Sequence, residues 1–483
     1  MPQASSASLS TTNSSLLERL RQNDPTLTKL KLVQNYNDVA SDFDEFLECL
    51  RNNTIVSYVL LERHFVRSLK KPQWIALIQA VGQMTNLDEL EIWSVRVPLK
   101  ELCEAFKDST KLTRLGFGFV TLEGSLDASA LCGHASLKTF YLSDFRFVEE
   151  EEASLDSLCQ ALSTCPNLRF LEVFQYQQEH PPVSAEGLAA LMESPCLQHL
   201  TLRRMGLTAA LTSGLANKLV DNLQLRVLNL NENKLGNEGS HALGHALTVN
   251  HSLQELDLRK NQLSANGCFV LAQQLSNNEG LERLNLACNP LEDHGAEGLA
   301  SLLQVHPSLK TLELHRTLLT DMGTGKLVDA LRDNESLVNL DLSFNSITEI
   351  TYVAAAEALK VNHSLKSINL QVNKKMRVSA CEALLAMVKE NTVLERVSTL
   401  MRVRFEPQDY HELEDVLHQM NLYLRLNHAG RNHLLQGNAT VKEWGTSLLA
   451  VQDDLNGLYY LTHANPAMIC QPFLDQQPSV AVE

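Results

Sequence analysis

From Leu197 onward the apolar positions fall into one frame, L-x-x-L-x-L-x-x-(polar or apolar)-x-L. The frame begins again at Leu225, Leu253, Leu281, Leu309, Leu337 and Leu365, every 28 residues and without an insertion. A unit of this size cannot bury its own apolar faces and must stack on its neighbours, so the strict period predicts a solenoid. In Leu225-x-x-Leu228-x-Leu230 the leucines at period 2 mark the inward side of a short strand, and Val227, Asn229 and Asn231 point the other way. Asn233 follows where an amide side chain can satisfy backbone groups in the turn. Leu243 with Leu247, Leu271 with Leu275, Leu299 with Leu303 and Leu327 with Leu331 then stand at i and i+4, the spacing of one helix face. Gly239, Gly267, Gly295 and Gly323 recur at one place and are expected to ease a tight backbone entry into that helix. Asn250, Asn278, Asn334 and Asn362 recur at its end, where a left-handed residue is expected to stop it.

Degenerate copies begin at Leu27, Val56, Leu87, Leu112, Leu137 and Leu168 upstream and at Leu394 downstream, with upstream spacings of 25 to 31 residues, which brings the expected count to fourteen. Strand and helix alternating in this way resemble the leucine-rich repeat of the ribonuclease-inhibitor type over Leu27 to Leu400. The resemblance implies an α/β horseshoe with parallel strands on a concave face, helices on a convex face and a helical C-terminal cap. It implies no single function, since ribonuclease inhibitors, Ran GTPase-activating proteins, immune-receptor sensor ends and scaffolds share the repeat. The paired cysteines of the ribonuclease inhibitors, with their alternating long units, are absent from this sequence.

The expected organisation is a Ser/Thr-rich disordered leader over 1–15, one repeat domain over 16–400 and a capping region over 401–483. In the last region Leu413 with Leu417 suggests a helix, Asn421 to Leu426 a final apolar strand, and Thr440-x-x-Glu443 a capping box that opens another helix. Leu424 to Arg431, with Trp444 and Tyr459 to Leu461, is similar to a tail on leucine-rich-repeat proteins of single-celled algae.

The chain carries 57 acidic against 41 basic residues, a formal charge of −16, which opposes a long phosphate-binding surface and so excludes nucleic acid as the expected ligand. The acidic run Glu149 to Glu152 reads as helix-start chemistry ahead of a helix over Ala153 to Leu162. No run approaches the ~20 apolar residues needed to span a bilayer, and no signal-like segment opens the chain, so a cytoplasmic or nuclear monomer that does not bind membranes is expected. The ten cysteines form no C-x-x-C pair, and Cys103, Cys159 and Cys381 read as small core residues on helices with reduced thiols. The Asn-x-Ser triplets at Asn250, Asn334 and Asn362 coincide with the repeat turn and read as turns.

Chemistry is scarce. Gly323-Thr324-Gly325-Lys326 lacks both the first glycine and the magnesium-binding hydroxyl of a phosphate loop. His241 and His245 have i, i+4 spacing but no third ligand close by, and no G-x-S-x-G elbow occurs. No catalytic, metal or cofactor site is therefore expected. What remains is the outward strand face, with Tyr58, Trp93, Tyr141, Phe170 and Phe174 in its first half. Its second half carries Arg203, Asn229, Asn231, Asp257, Arg259, Asn285, Glu313, His315 and Asp341.

The column Asn229, Asp257, Asn285, Glu313, Asp341, Asn369 alternates amide with carboxylate and is expected to serve stacking, as neighbours ~5 Å apart can hydrogen-bond. Trp93, Tyr141, Phe174, Arg203, Arg259 and His315 are the expected partner-binding residues, being types that dominate interface energetics and that the repeat does not demand. The function read from the residues is a non-enzymatic scaffold or sensor binding a protein partner. The resemblance offers a GTPase-activating protein of the Ran type, or a detached immune-sensor half, as alternatives.

Overall fold

In the computed structural model the described residues are 15–34, 39, 42–148, 154–175, 183–373, 377–398, 410–429, 431, 446 and 449–450. The run Glu149 to Glu152, most of the leader and the capping box at Thr440 lie outside them. Contacts divide the chain into two compact units. One is Met1–Gly206 with Gln224–Val227, and the other is Leu207–Leu223 with Leu228–Glu483.

Fourteen strands carry the repeat. In the first unit seven pair in parallel and in chain order: Lys29–Leu32, Tyr58–Glu62, Glu89–Trp93, Arg114–Gly118, Thr139–Ser143, Phe170–Phe174 and His199–Arg203. Val227–Asn229 follows. In the second unit Glu255–Asp257, Arg283–Asn285, Thr311–Glu313, Asn339–Asp341, Ser367–Asn369 and Arg396–Ser398 pair likewise. Each strand starts two residues after the leucine or valine that opens its repeat, including Val56, so the irregular upstream register holds throughout. The alternation of burial follows the period-2 reading: Val59, Leu61, Leu90 and Ile92 are buried between half-buried outward residues. Every described cysteine is a free thiol, and Cys103, Cys159 and Cys381 are buried on helices, where desolvation pushes their thiols well above the usual range.

The turns after Glu255–Asp257, Arg283–Asn285, Thr311–Glu313, Asn339–Asp341 and Ser367–Asn369 are held by a ladder of side chains, amides in all but one. Asn261 Nδ2 donates to the carbonyls of Leu230 (2.9 Å) and Arg259 (3.2 Å), while its own N–H donates to Asn289 Oδ1 (2.8 Å). Asn289 repeats the pattern on Leu258, Leu286 and Ala287, Asn345 on Leu314 and Leu342, and Asn373 on Leu342 and Leu370. Thr317 replaces the amide once, its hydroxyl donating to the Leu314 carbonyl. Buried carbonyls would otherwise be left unpaired, and these bonds satisfy them across consecutive repeats.

Three expectations are corrected. The glycines at 239, 267, 295 and 323 are inside helices, not at a tight entry: a Cβ on Gly267 would strike Asn237 Oδ1 of the preceding unit, and one on Gly323 would meet Asp293. Their smallness permits close helix stacking. Asn250, Asn278, Asn334 and Asn362 are absent from the left-handed residues and Asn362 is extended (φ −76°). They instead form a second ladder, Asn362 Nδ2 donating to the carbonyls of Leu331 (2.7 Å) and Asn334 (3.0 Å) while its Oδ1 accepts from Ser364 and Leu365 N–H. Finally, Asn421 to Leu426 is not a strand but part of the helix Tyr410–His428, whose Asn427 takes over this ladder by donating to the carbonyls of Asn391 and Leu394, both at 2.8 Å. An apolar run of six residues does not by itself separate strand from helix. The helix predicted over Ala153 to Leu162 is Asp156–Ser163.

Candidate partner-binding faces

In the first unit the strand register builds three outward rows. The middle row aligns Leu60, Glu91, Gly116, Tyr141 and Glu172, and the next aligns Glu62, Trp93, Gly118, Ser143, Phe174 and Arg203. Gly116 and Gly118 are decisive. A Cβ on Gly116 would fall inside the Tyr141 ring, and one on Gly118 would overlap the Trp93 indole, so the two rings lie across a strand whose outward side is bare backbone.

Glu91 is the hub beneath them. Its Oε2 accepts from the Trp93 indole N–H at 3.1 Å and the Tyr58 hydroxyl at 3.3 Å, and the Tyr141 hydroxyl bonds the same carboxylate. Burial first, and then the Glu91 charge, push the Tyr58 phenol up to about 12 and raise Tyr141 as well, so both remain hydrogen-bond donors at neutral pH. The rings are thus locked in place while each of Tyr58, Trp93 and Tyr141 stays half-buried. Such pre-ordered aromatic area lowers the entropy lost on binding.

Beside this cluster the Arg203 guanidinium stands 4.5 Å from the Phe174 ring centroid, and Phe170 stacks on His199 at 4.2 Å. Arg203 belongs with the aromatic residues of the first unit, not with the charged zone where its sequence position put it. Glu172, next to Tyr141 in its row, has its carboxyl raised by burial, partly offset by Arg203.

In the second unit the alternating column does serve stacking. Asn285 Nδ2 donates to Asp257 Oδ2 (3.2 Å) and Asn369 Nδ2 to Asp341 Oδ2 (3.0 Å), while Oδ1 of each of these four residues accepts a backbone N–H two residues on. The alternation fails at Glu313, which pairs in register with Asp341, another carboxylate. Glu313 turns to an ion pair with Arg283 instead. Arg259 and His315 are half-buried on the adjoining outward positions, and burial lowers the His315 imidazole, favouring its neutral form, with Asp341 pulling the other way. Arg259 Nε and, on the preceding repeat, Asn231 Oδ1 are buried without a hydrogen-bond partner among the described residues. Unmet polar atoms of this kind cost roughly 1–3 kcal/mol each, and a ligand that pairs them recovers that amount.

The six predicted residues therefore divide: Trp93, Tyr141, Phe174 and Arg203 belong to the first unit, and Arg259 and His315 to the second. The sequence reading missed Glu91, Gly116 and Gly118. The available signal was the pair of glycines at outward positions of Arg114-Leu115-Gly116-Phe117-Gly118, where other repeats carry side chains.

Among the described residues no group of three His, Cys, Asp or Glu side chains is placed to hold a metal, and no helix is long and apolar enough to cross a membrane. Gly323 to Lys326 lies within the helix Asp321–Ala330, and Lys326 pairs with Glu297 at 2.8 Å. No phosphate loop forms there.

The family model for the Leucine Rich repeat matches residues 222–244, 249–272 and 277–300. The chain is a leucine-rich-repeat protein. Its match covers three consecutive repeats of the ladder-bearing unit, and the strand-plus-helix unit continues on both sides of them. No curated relative matches this leucine-rich-repeat chain by sequence. Among solved structures, "Leiomodin-1 Actin-Binding Site 2 (ABS2)" is similar at 13% identity with a TM-score of 0.29, covering 42% of this chain and 97% of that one. A likeness that weak carries no argument about this protein.

Proposed function

We propose that this leucine-rich-repeat chain is a non-enzymatic interaction module, a scaffold or regulatory sensor, that holds a protein partner on its outward strand positions. Trp93, Tyr141, Phe174 and Arg203 are its anchors in the first unit, and Arg259 and His315 add polar contacts in the second. The observation that carries this reading is the glycine-seated cluster, in which Trp93 and Tyr141 are fixed by Glu91 yet stay half-exposed. Rigid aromatic groups beside an arginine are the composition of interface hot spots. A monomeric, cytoplasmic or nuclear scaffold fits this role.

The test is affinity capture from native lysate followed by affinity measurement on the captured protein. Changing Trp93→Ala with Arg203→Glu should weaken binding at least about a hundredfold, since hot-spot truncations cost ~2 kcal/mol or more each. The exposed substitutions His245→Ala, on a helix, with Arg332→Ala, in the turn after one, should leave affinity unchanged. Wild-type affinity in the strand-face variant, with circular dichroism and melting intact, would move the binding surface elsewhere.

A further inference from the structure

One concavity of the first unit lies off the repeat strands and has a charge opposite to that of the chain. It encloses about 850 Å³ and is lined by Arg63, Arg67, Lys71, Arg96 and Arg146. A volume of that size is ordinary for a binding site. It is built by a second, three-stranded parallel sheet of Arg96–Pro98, Thr121–Glu123 and Arg146–Phe147, formed only where the first unit departs from the strict repeat. In that sheet Arg96, Thr121 and Arg146 are in register, with Val97, Leu122 and Phe147 buried behind them, so the two exposed arginines flank a threonine. Arg63 and Arg67 come from the single helical turn that follows Tyr58–Glu62.

Two further observations bear on what fits. The Lys71 ammonium pairs with Glu123 at 3.4 Å, but among the described residues none of the guanidiniums of Arg63, Arg67, Arg96 and Arg146 has an ion pair or hydrogen bond. Five basic side chains against the two carboxylates Glu123 and Asp144 leave the lining with an excess of positive charge in a chain of net charge −16, and an anionic ligand would relieve that. The remaining acid of the lining, Asp144, has its carboxyl raised by burial, with Arg204 and Arg203 pulling the other way, and its Oδ1 is buried without a partner among the described residues. Apart from Ser94 and Thr121 the rest of the wall is apolar, with Val66, Val95, Val120 and the 58%-exposed Phe119 among it.

We propose that this pocket binds an acidic, extended peptide segment of a partner protein. Arg96 and Arg146 are two strand spacings apart, roughly 10 Å, which matches carboxylates at i and i+3 of a segment in the polyproline-II form, which rises ~3.1 Å per residue and returns to the same face every third residue. Forked guanidiniums suit bidentate carboxylate pairing, and the apolar wall offers room for aliphatic or aromatic side chains between the acids. A nucleic acid strand would leave that wall unused and would meet repulsion from the acidic remainder of the chain. The site adjoins the strand face, since Phe119 of its lining packs on Trp93 at 6.1 Å, but none of its four arginines is on a repeat strand and none belongs to the strand-face reading.

The test is fluorescence anisotropy on the full chain with a labelled twelve-residue peptide carrying Glu at i, i+3 and i+6 and Leu between. Saturable binding is expected, weakening as sodium chloride is raised. Arg96→Glu with Arg146→Glu should reduce affinity at least about tenfold, and the milder Arg96→Gln with Arg146→Gln should also reduce it should the reversal perturb the fold. The same change of net charge placed elsewhere, Lys310→Glu with Arg332→Glu, should have less than a twofold effect. No saturable binding, equal losses in the displaced control, or tighter binding of a dT twelve-mer than of the peptide would each overturn the proposal. Binding that emerges only after Glu149, Glu150, Glu151 and Glu152 are changed to Gln would also overturn it, making the chain's own acidic run the occupant.

Discussion

The two units use the same strand yet differ in what their outward residues do. In the second unit Asn229, Asp257, Asn285, Asp341 and Asn369 each turn a side-chain oxygen back to a backbone N–H two residues on, and the amide ladders on either side of the strands bind the carbonyls. Side chains there are committed to the repeat itself. In the first unit, where spacings run from 25 to 31, the equivalent row holds Glu91, Gly116, Tyr141 and Glu172, and the next row, which carries Arg259 and His315 in the second unit, holds Trp93, Phe174 and Arg203. Regularity and presented surface are alternatives at these positions: a residue that closes a turn is not available to a partner.

That contrast makes the ladder the place of greatest structural cost. Asn289→Ala removes bonds to three carbonyls and to the N–H groups of Asn261 and Leu263, all within a nearly inaccessible site, so about 3 kcal/mol of unfolding free energy should be lost. Urea denaturation reads this directly, and a loss below about 1 kcal/mol would remove the ladder from the account of stability.

His306 is the next test, because it stands where other repeats of the second ladder carry asparagine. Its Nδ1 accepts from Ser308 and Leu309 N–H as the asparagines' Oδ1 does, but its Nε2 has no partner among the described residues. Burial holds its imidazole down to about 4 from 6.5. A depressed folded value means that the unfolded chain takes up a proton first as pH falls. The stability present above 6.5 should therefore drain away between 6.5 and about 4, by up to roughly 3 kcal/mol. His306→Asn should flatten that window and leave stability at pH 7 equal or higher. An unchanged pH profile in the variant would assign the acid sensitivity to other groups.

Gly116→Val should have a smaller effect on stability, about 1–3 kcal/mol, because the Tyr141 ring must leave its seat. Near-ultraviolet circular dichroism should change while the far-ultraviolet spectrum does not, and partner affinity should fall with it. Retention of the aromatic signal would show that the cluster does not depend on the bare strand.

The fold was legible because leucines at period 2 and at i, i+4 report burial, and burial is what the repeat conserves from unit to unit within this chain. Even the degenerate upstream copies kept those positions, the one opened by Val56 among them. The site was legible only in its residue types. Trp93 and Tyr141 announce themselves, but Glu91 looks like any outward acid until register sets it between Leu60 and Gly116. The adjacency of Glu313 and Asp341 follows from the period, but Arg283 resolves it through a contact no spacing rule reveals. The basic pocket could not be read at all, since Arg96 and Arg146 meet through a second sheet and Arg63 and Arg67 join them from a helical turn, neither of which the strict frame contains.

The amide ladder also works as a gauge of chain length. Asn261 reaches Asn289, and Asn345 reaches Asn373, across 28 residues each, so these bonds measure a fixed step between neighbouring repeats. An added residue has to be looped out between the rungs, as between Asn362 and Asn391, where the second ladder closes across 29. Larger variation is found in the first unit, with its unequal spacings, extra sheet and basic pocket.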